Sequence, residues 1–117
     1  MDEQSLGLIK QLIEKTEQGK LTWSSGFLDG QFKTLLPTGE LAFVVQVRGD
    51  ERRFMMLDER QEVILEETVT GVEAEFEPYN PKLFLYSAIG GLQALARTQA
   101  LRVNEKLAKA EKILAAI

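Results

Sequence analysis

Residues 80–117 read NPKLFLYSAIGGLQALARTQALRVNEKLAKAEKILAAI, and this stretch decides the fold. Asn80 can cap a helix by accepting from the free amides of the first turn, and Pro81 is tolerated at the first helical position. Leu85, Ile89, Leu92, Ala96, Ala100, Val103, Leu107, Ala110 and Leu114 then recur every three or four residues. At 100° per residue they fall within a stripe of about 80°, so one straight helix keeps them all on one side. Such a helix is ~55 Å long, whereas a compact globule of this chain's length is only ~35 Å across. Two resolutions follow. The helix breaks and folds back, at Gly90-Gly91 or around residues 102–104 with Asn104 as a second cap. Otherwise it stays long and buries its overhang against a second copy of the chain. On that second resolution Ile89, Leu92, Ala96, Val103, Leu107 and Leu114 are the residues of self-association, in a dimer.

Working outward, Ser5 is placed to cap a first helix running to Gln18, with Gly19 as its stop. Leu6, Ile9 and Ile13, joined by Leu8 and Leu12, form its apolar face. The chain then enters an extended run in which Trp23 lies against a sheet. Strands are expected over residues 31–36, 41–48, 52–57 and 62–69, separated by Pro37-Thr38-Gly39, Gly49-Asp50 and residues 58–61. In the strongest of them Phe43, Val45 and Val47 share one face and Ala42, Val44 and Gln46 the other. Connections of two to five residues make consecutive strands antiparallel, because a parallel crossover needs about a dozen. The middle of the chain is therefore a meander of four strands, five if residues 23–28 join. Residues 70–78, with Val72, Ala74 and Phe76 alternating against Glu73, Glu75 and Glu77, read as an extended edge segment. The whole is one α+β domain, residues 1–117: an N-terminal helix, an antiparallel meander, and a long last helix or helix pair packed on one face of the sheet.

Composition prunes the functions. The chain of 117 residues has no histidine and no cysteine. That removes Ser-His-Asp and Cys-His catalysis, thiolate chemistry, and zinc or haem ligation by the usual residues. A protein without enzymatic activity or cofactor is the expectation. No apolar run approaches the ~18 residues of a membrane span. The start, Met1-Asp2-Glu3-Gln4, is the opposite of a secretory n-region, and with no cysteine the expected compartment is the cytoplasm. A net charge of -4 argues against nucleic-acid binding by the surface as a whole.

Several local features carry sharper alternatives. Asp58, Glu59, Glu62, Glu66, Glu67, Glu73, Glu75 and Glu77 form an acidic block, but they lack the glycine-centred loop of a calcium site, and a solvated sheet face accounts for them. Arg102, Lys106, Lys109 and Lys112 lie away from the apolar stripe, where a nucleic-acid reader would place phosphate contacts. The helix dipole and the Glu105–Lys109 spacing account for them without a nucleic acid, and that is the reading preferred. Acidic block and basic face could also meet between two copies. Arg48-Gly49-Asp50 spells an adhesion tripeptide where a strand must reverse. Phe54-Met55-Met56-Leu57 reads as a strand buried on both faces, or as a Met-lined groove. Trp23, Tyr79 and Tyr86 could rim a small ligand pocket. Among carboxylates and phenols, Glu66, Glu67 and Tyr86 would serve a small ligand-binding protein or enzyme, given a pocket that holds them together.

The run from Leu12 to Trp23, LIEKTEQGKLTW, resembles the start of small uncharacterised bacterial and phage proteins. In these a helix ending in E-K-T-x-x-G-K-L-x-W leads into a short meander and then a helix with an L-Y-x-x-A-R-like stretch. Leu85-Tyr86 and Leu95-Ala96-Arg97 answer to that last element. The resemblance implies an α-β-β-β-β-α order and transfers no activity and no site residue. In architecture alone, a first helix, a meander and a long last helix are similar to type III secretion chaperones, which carry a further helix between strands that is not expected here. The expected function is self-association and the binding of another macromolecule.

Overall fold

The computed structural model describes residues 2–74 and 80–117, apart from the side chains of Asp2, Val103 and Asn104. In chain order the elements are α1 (Asp2–Glu17), β1 (Trp23–Ser25), β2 (Gln31–Leu35), β3 (Ala42–Arg48), β4 (Glu51–Leu57), β5 (Val63–Thr70), α2 (Gly71–Ala74) and α3 (Pro81–Ala115). The strands pair in sequence order, each antiparallel to the next. Trp23–Ser25 does join, as the fifth strand, and α1 and α3 lie on one face.

Short-range chemistry sets most of these boundaries. Gly19 at φ +73° ends α1: Lys20 N–H bonds Lys15 O at 2.9 Å and Gly19 N–H bonds Thr16 O at 3.0 Å, the paired closure of a Schellman stop. Gly49 at φ +60° supplies the left-handed residue of the two-residue hairpin between the paired Arg48 and Glu51. Arg48-Gly49-Asp50 is thus a strand reversal, and Asp50 Oδ1 accepts from the Gly71 amide at 3.1 Å. Asn80 caps α3, its side chain accepting from Lys82 N–H at 3.0 Å, with Pro81 behind it.

Register assigns the faces. Phe32 opposes Val45 and Val45 opposes Phe54. These three join Ile9 and Leu12 of α1 and Leu85, Ile89, Leu92, Ala96 and Ala100 of α3 in the main core. On the other face Ala42, Val44 and Leu57, with half-buried Met55, make a small second cluster. The apolar run of β4 is therefore divided, with Phe54 and Met56 inward and Met55 and Leu57 outward, as a strand buried on both faces requires. Ile64 has no partner between the pairs Met56–Leu65 and Leu57–Val63, a bulge that turns Val63 to the outer face.

Two local expectations are corrected. Ser5 is not a cap: it lies inside α1, fully buried, and its hydroxyl donates to Glu67 Oε1 at 3.0 Å. A serine is tolerated within a helix when its hydroxyl finds such a partner. Residues 71–74 form a short helix and not an extended edge. Thr70 Oγ1 accepts from Glu73 N–H at 3.2 Å while Glu73 Oε1 accepts from Thr70 N–H at 3.4 Å. This reciprocal capping box overrides the apolar alternation. Residues 75–79, including Phe76, Glu75, Glu77 and Tyr79, lie outside the described residues. The helix that follows the strands, α2, comes after β5 and not between strands as in the chaperone architecture.

Candidate functional site: the distal half of the last helix

Helix α3 is continuous over Pro81–Ala115, with no break at Gly90-Gly91 and none at residues 102–104. Its proximal half is seated firmly. Leu85, Ile89, Leu92, Ala96 and Ala100 are at most 2% exposed. Between them, Gln93 Nε2 donates to Gly30 O at 3.2 Å. Gln99 serves both sides of the chain entering β1: its Oε1 accepts from Trp23 N–H and its Nε2 donates to Leu21 O. Trp23 Nε1 in turn donates to Thr16 Oγ1 at 2.9 Å, and Thr16 donates to Leu12 O at 2.7 Å. Nothing in the spacing marks Gln99 for this role, because an amide replacing a missing strand partner needs only to be within reach.

Beyond Ala100 the support ends. Every described side chain from Leu101 onward is exposed, over ~23 Å of helix at 1.5 Å per residue. The molecule measures 59 × 30 × 25 Å, so the helix overhangs its domain. The apolar stripe does not stop with the domain: Leu107 is 59% and Leu114 70% exposed, and Ile113 beside them 54%. Exposed leucines at helical spacing, uncovered by any described residue, are the least expected feature of a solvated helix.

The six residues assigned to self-association are thereby divided. Ile89, Leu92 and Ala96 are wholly buried in the chain's own core and offer no surface to a partner. That is a correction, and its cause is the sheet, which takes the first half of the stripe. Leu107 and Leu114 stay exposed, and the side chain of Val103 lies outside those described. The spacing carries a signal for this division. Leu92, Ala96 and Ala100 are four apart and four apart, whereas Ala100, Val103, Leu107, Ala110 and Leu114 follow intervals of three, four, three, four. The second pattern keeps a strict heptad spacing, and the repeat shifts by one residue between 96 and 100.

The other candidates are dispersed. Glu66 and Glu67, adjacent on β5, point to opposite faces: Glu67 accepts from Ser5, and Glu66 lies 3.5 Å from Arg53 Nε. Tyr86 is engaged by Arg52, its ring 3.9 Å from the guanidinium carbon. Asp58 accepts from the amides of Arg60 and Glu62 at 2.9 and 3.0 Å, so its carboxylate shapes a turn. Glu73 bonds Lys82 Nζ at 2.7 Å, and that bond, with those from Thr70, holds its carboxyl below the usual range. Among the described residues no three such groups converge to hold a metal. Nor is any helix among them long and apolar enough to cross a membrane. Arg102, Lys106, Lys109 and Lys112 are all exposed along the overhang. On the outer sheet face an open cleft of about 440 Å³ has Val44, Met55 and Leu57 as its floor and Lys33 and Gln61 at its rim.

Comparison with protein-family models, with curated proteins and with solved structures finds no match to this chain.

Proposed function

We propose that this protein is a self-associating, non-enzymatic binding module, a dimer joined through the distal half of α3. The observation that carries the reading is the exposure of Leu107 and Leu114 on a continuous helix that has already left its own core. Burying a leucine side chain contributes roughly 1.5–3 kcal/mol, and a two-fold interface uses each leucine twice. The assembled pair presents two outer sheet faces, each holding the open cleft above Val44 and Met55, which is where a further macromolecule would bind.

The test is solution mass by light scattering across a concentration series, for the wild type and for Leu107→Glu. Wild type gives twice the chain mass at high concentration. The variant loses ~3–6 kcal/mol of association, a weakening of at least ~100-fold, and its unfolding midpoint matches the wild type's at concentrations low enough for both to be monomeric. A wild type that stays monomeric throughout, or a variant whose mass curve overlays it, removes the reading.

A further inference from the structure

The side of α3 that remains apolar past the domain fixes how two copies can meet. The buried residues 85–100 and the exposed residues 107–114 share one stripe about 80° wide. The overhang therefore turns its leucines toward the same side on which the proximal half meets the sheet. A second helix laid against that stripe needs its axis 8–10 Å away. Alongside residues 85–100 that space is filled, since α3 packs there against every strand of the sheet.

A parallel partner would begin correctly on the overhang. Followed toward its N-terminus, it would then run into the first copy's sheet, and its own sheet would meet the first copy's helix. An antiparallel partner leaves in the opposite direction, away from the domain. We infer, resting on the self-association proposed above, that two copies pair antiparallel about a two-fold axis between Leu107 and Ala110, with their domains at opposite ends of the paired helices.

Side-chain size agrees with this orientation. About that axis Leu107 faces Ala110 of the second copy and Ala110 faces its Leu107, so each of the two central layers sets a large residue against a small one. A parallel pair stacks leucine on leucine and alanine on alanine, leaving the alanine layer underfilled. One feature favours the parallel form, in which Lys106 comes opposite Glu111 across the seam. Both are exposed, and an exposed pair of this kind contributes little, far less than the overlap of a helix with a sheet opposes.

The chain has no cysteine, so one label site can be introduced cleanly. Ser87 is exposed on α3, on the side away from the stripe. Spin-labelled Ser87→Cys, measured by pulsed dipolar spectroscopy alongside light scattering, separates the orientations. The antiparallel pair places the two labels about 65–70 Å apart, from 1.5 Å of rise per residue on either side of the axis. A parallel pair places them within about 35 Å. A dimer with the long distance supports the inference. A dimer with a distance under about 35 Å overturns the orientation and leaves self-association standing. A monomer at every concentration overturns both.

Discussion

Gly90 and Gly91 are adjacent in one helix, and the structure assigns them opposite responses to the same substitution. Glycine within a helix is roughly 0.8–1 kcal/mol less favourable than alanine, so Gly→Ala should stabilise wherever a methyl group fits. At Gly91 the position is exposed and an added Cβ meets nothing within 4 Å. Gly91→Ala therefore gains about 0.8–1 kcal/mol. At Gly90 the Cβ would intrude on the Arg52 guanidinium, 2.6 Å from its Cζ. That guanidinium is held over the Tyr86 ring at 3.9 Å and donates from Nη1 to Tyr86 O at 2.9 Å. Displacing it loses a charge-assisted hydrogen bond of ~1.5–3 kcal/mol and a cation–π contact of ~0.5–1 kcal/mol. Part of this returns, because Arg52 Nε is buried without a partner among the described residues and gains water when the side chain swings out. Set against the same helical gain, Gly90→Ala nets a loss of ~1 kcal/mol.

The two variants should thus differ by about 2 kcal/mol, or ~8 °C in thermal midpoint for a domain of this size. Circular dichroism melts of the two single variants measure it directly. Arg52→Ala supplies the control: in that background Gly90→Ala should become stabilising by about 0.8–1 kcal/mol, like its neighbour. If Gly90→Ala raises the midpoint of the otherwise wild-type chain as much as Gly91→Ala does, the seat of Arg52 contributes nothing and the reasoning fails.

Two further outcomes are expected. Gln99→Leu strands the Trp23 amide and the Leu21 carbonyl that Gln99 joins to α3; at ~1–3 kcal/mol for each unmet group it should lower the urea midpoint clearly, and an unchanged midpoint would show that water replaces the amide. Glu73, whose carboxyl is held below its usual range chiefly by Lys82, contributes stability that is present above its unfolded pKa of about 4.3 and lost as pH falls through the lower folded value. The stability gap between wild type and Glu73→Gln should accordingly narrow from pH 6 to pH 3, and a gap that stays constant would assign the effect to packing.

Strands were legible where turn residues stood close together. Pro37-Thr38-Gly39 and Gly49-Asp50 leave no room for a crossover, so antiparallel order followed from spacing alone. The single turn of α2 was hidden because Val72 and Ala74 alternate with glutamates as a strand would, while Thr70 and Glu73 carry the capping box that decides the matter. The separation of Glu66 from Glu67 is implicit in the period of a strand, yet only the observed pairings of β5 turn it into two faces. The division of the α3 stripe lay beyond hydrophobic periodicity. Periodicity reports the angular position of Ile89 and of Leu107 and is blind to where the sheet beneath them ends. Burial of Ile89, Leu92 and Ala96 and exposure of Leu107 and Leu114 are consequences of sheet width, a quantity set by the other half of the chain.

That division also separates folding from association. An isolated helix as short as the overhang is marginal in water because nucleation is costly, but here the seated turns from Leu85 to Ala100 already supply the nucleus, leaving only propagation. Propagation is favoured by the residues themselves: Leu107, Ala108, Lys109, Ala110, Glu111 and Lys112 are all strong helix formers. Glu105 precedes Lys109 by four residues in the better orientation for an ion pair. The overhang can therefore stand as a helix before a second copy arrives, and its leucines are not needed to hold it there. The proposed pairing would then order little that is not already ordered, which leaves more of the burial energy for binding. The physical consequence is two independent sets of substitutions on one stripe. Ile89→Ala, in the seated half, should cost ~2–5 kcal/mol of folding stability without altering the seam, whereas Leu107→Glu should change the assembled mass without altering the fold.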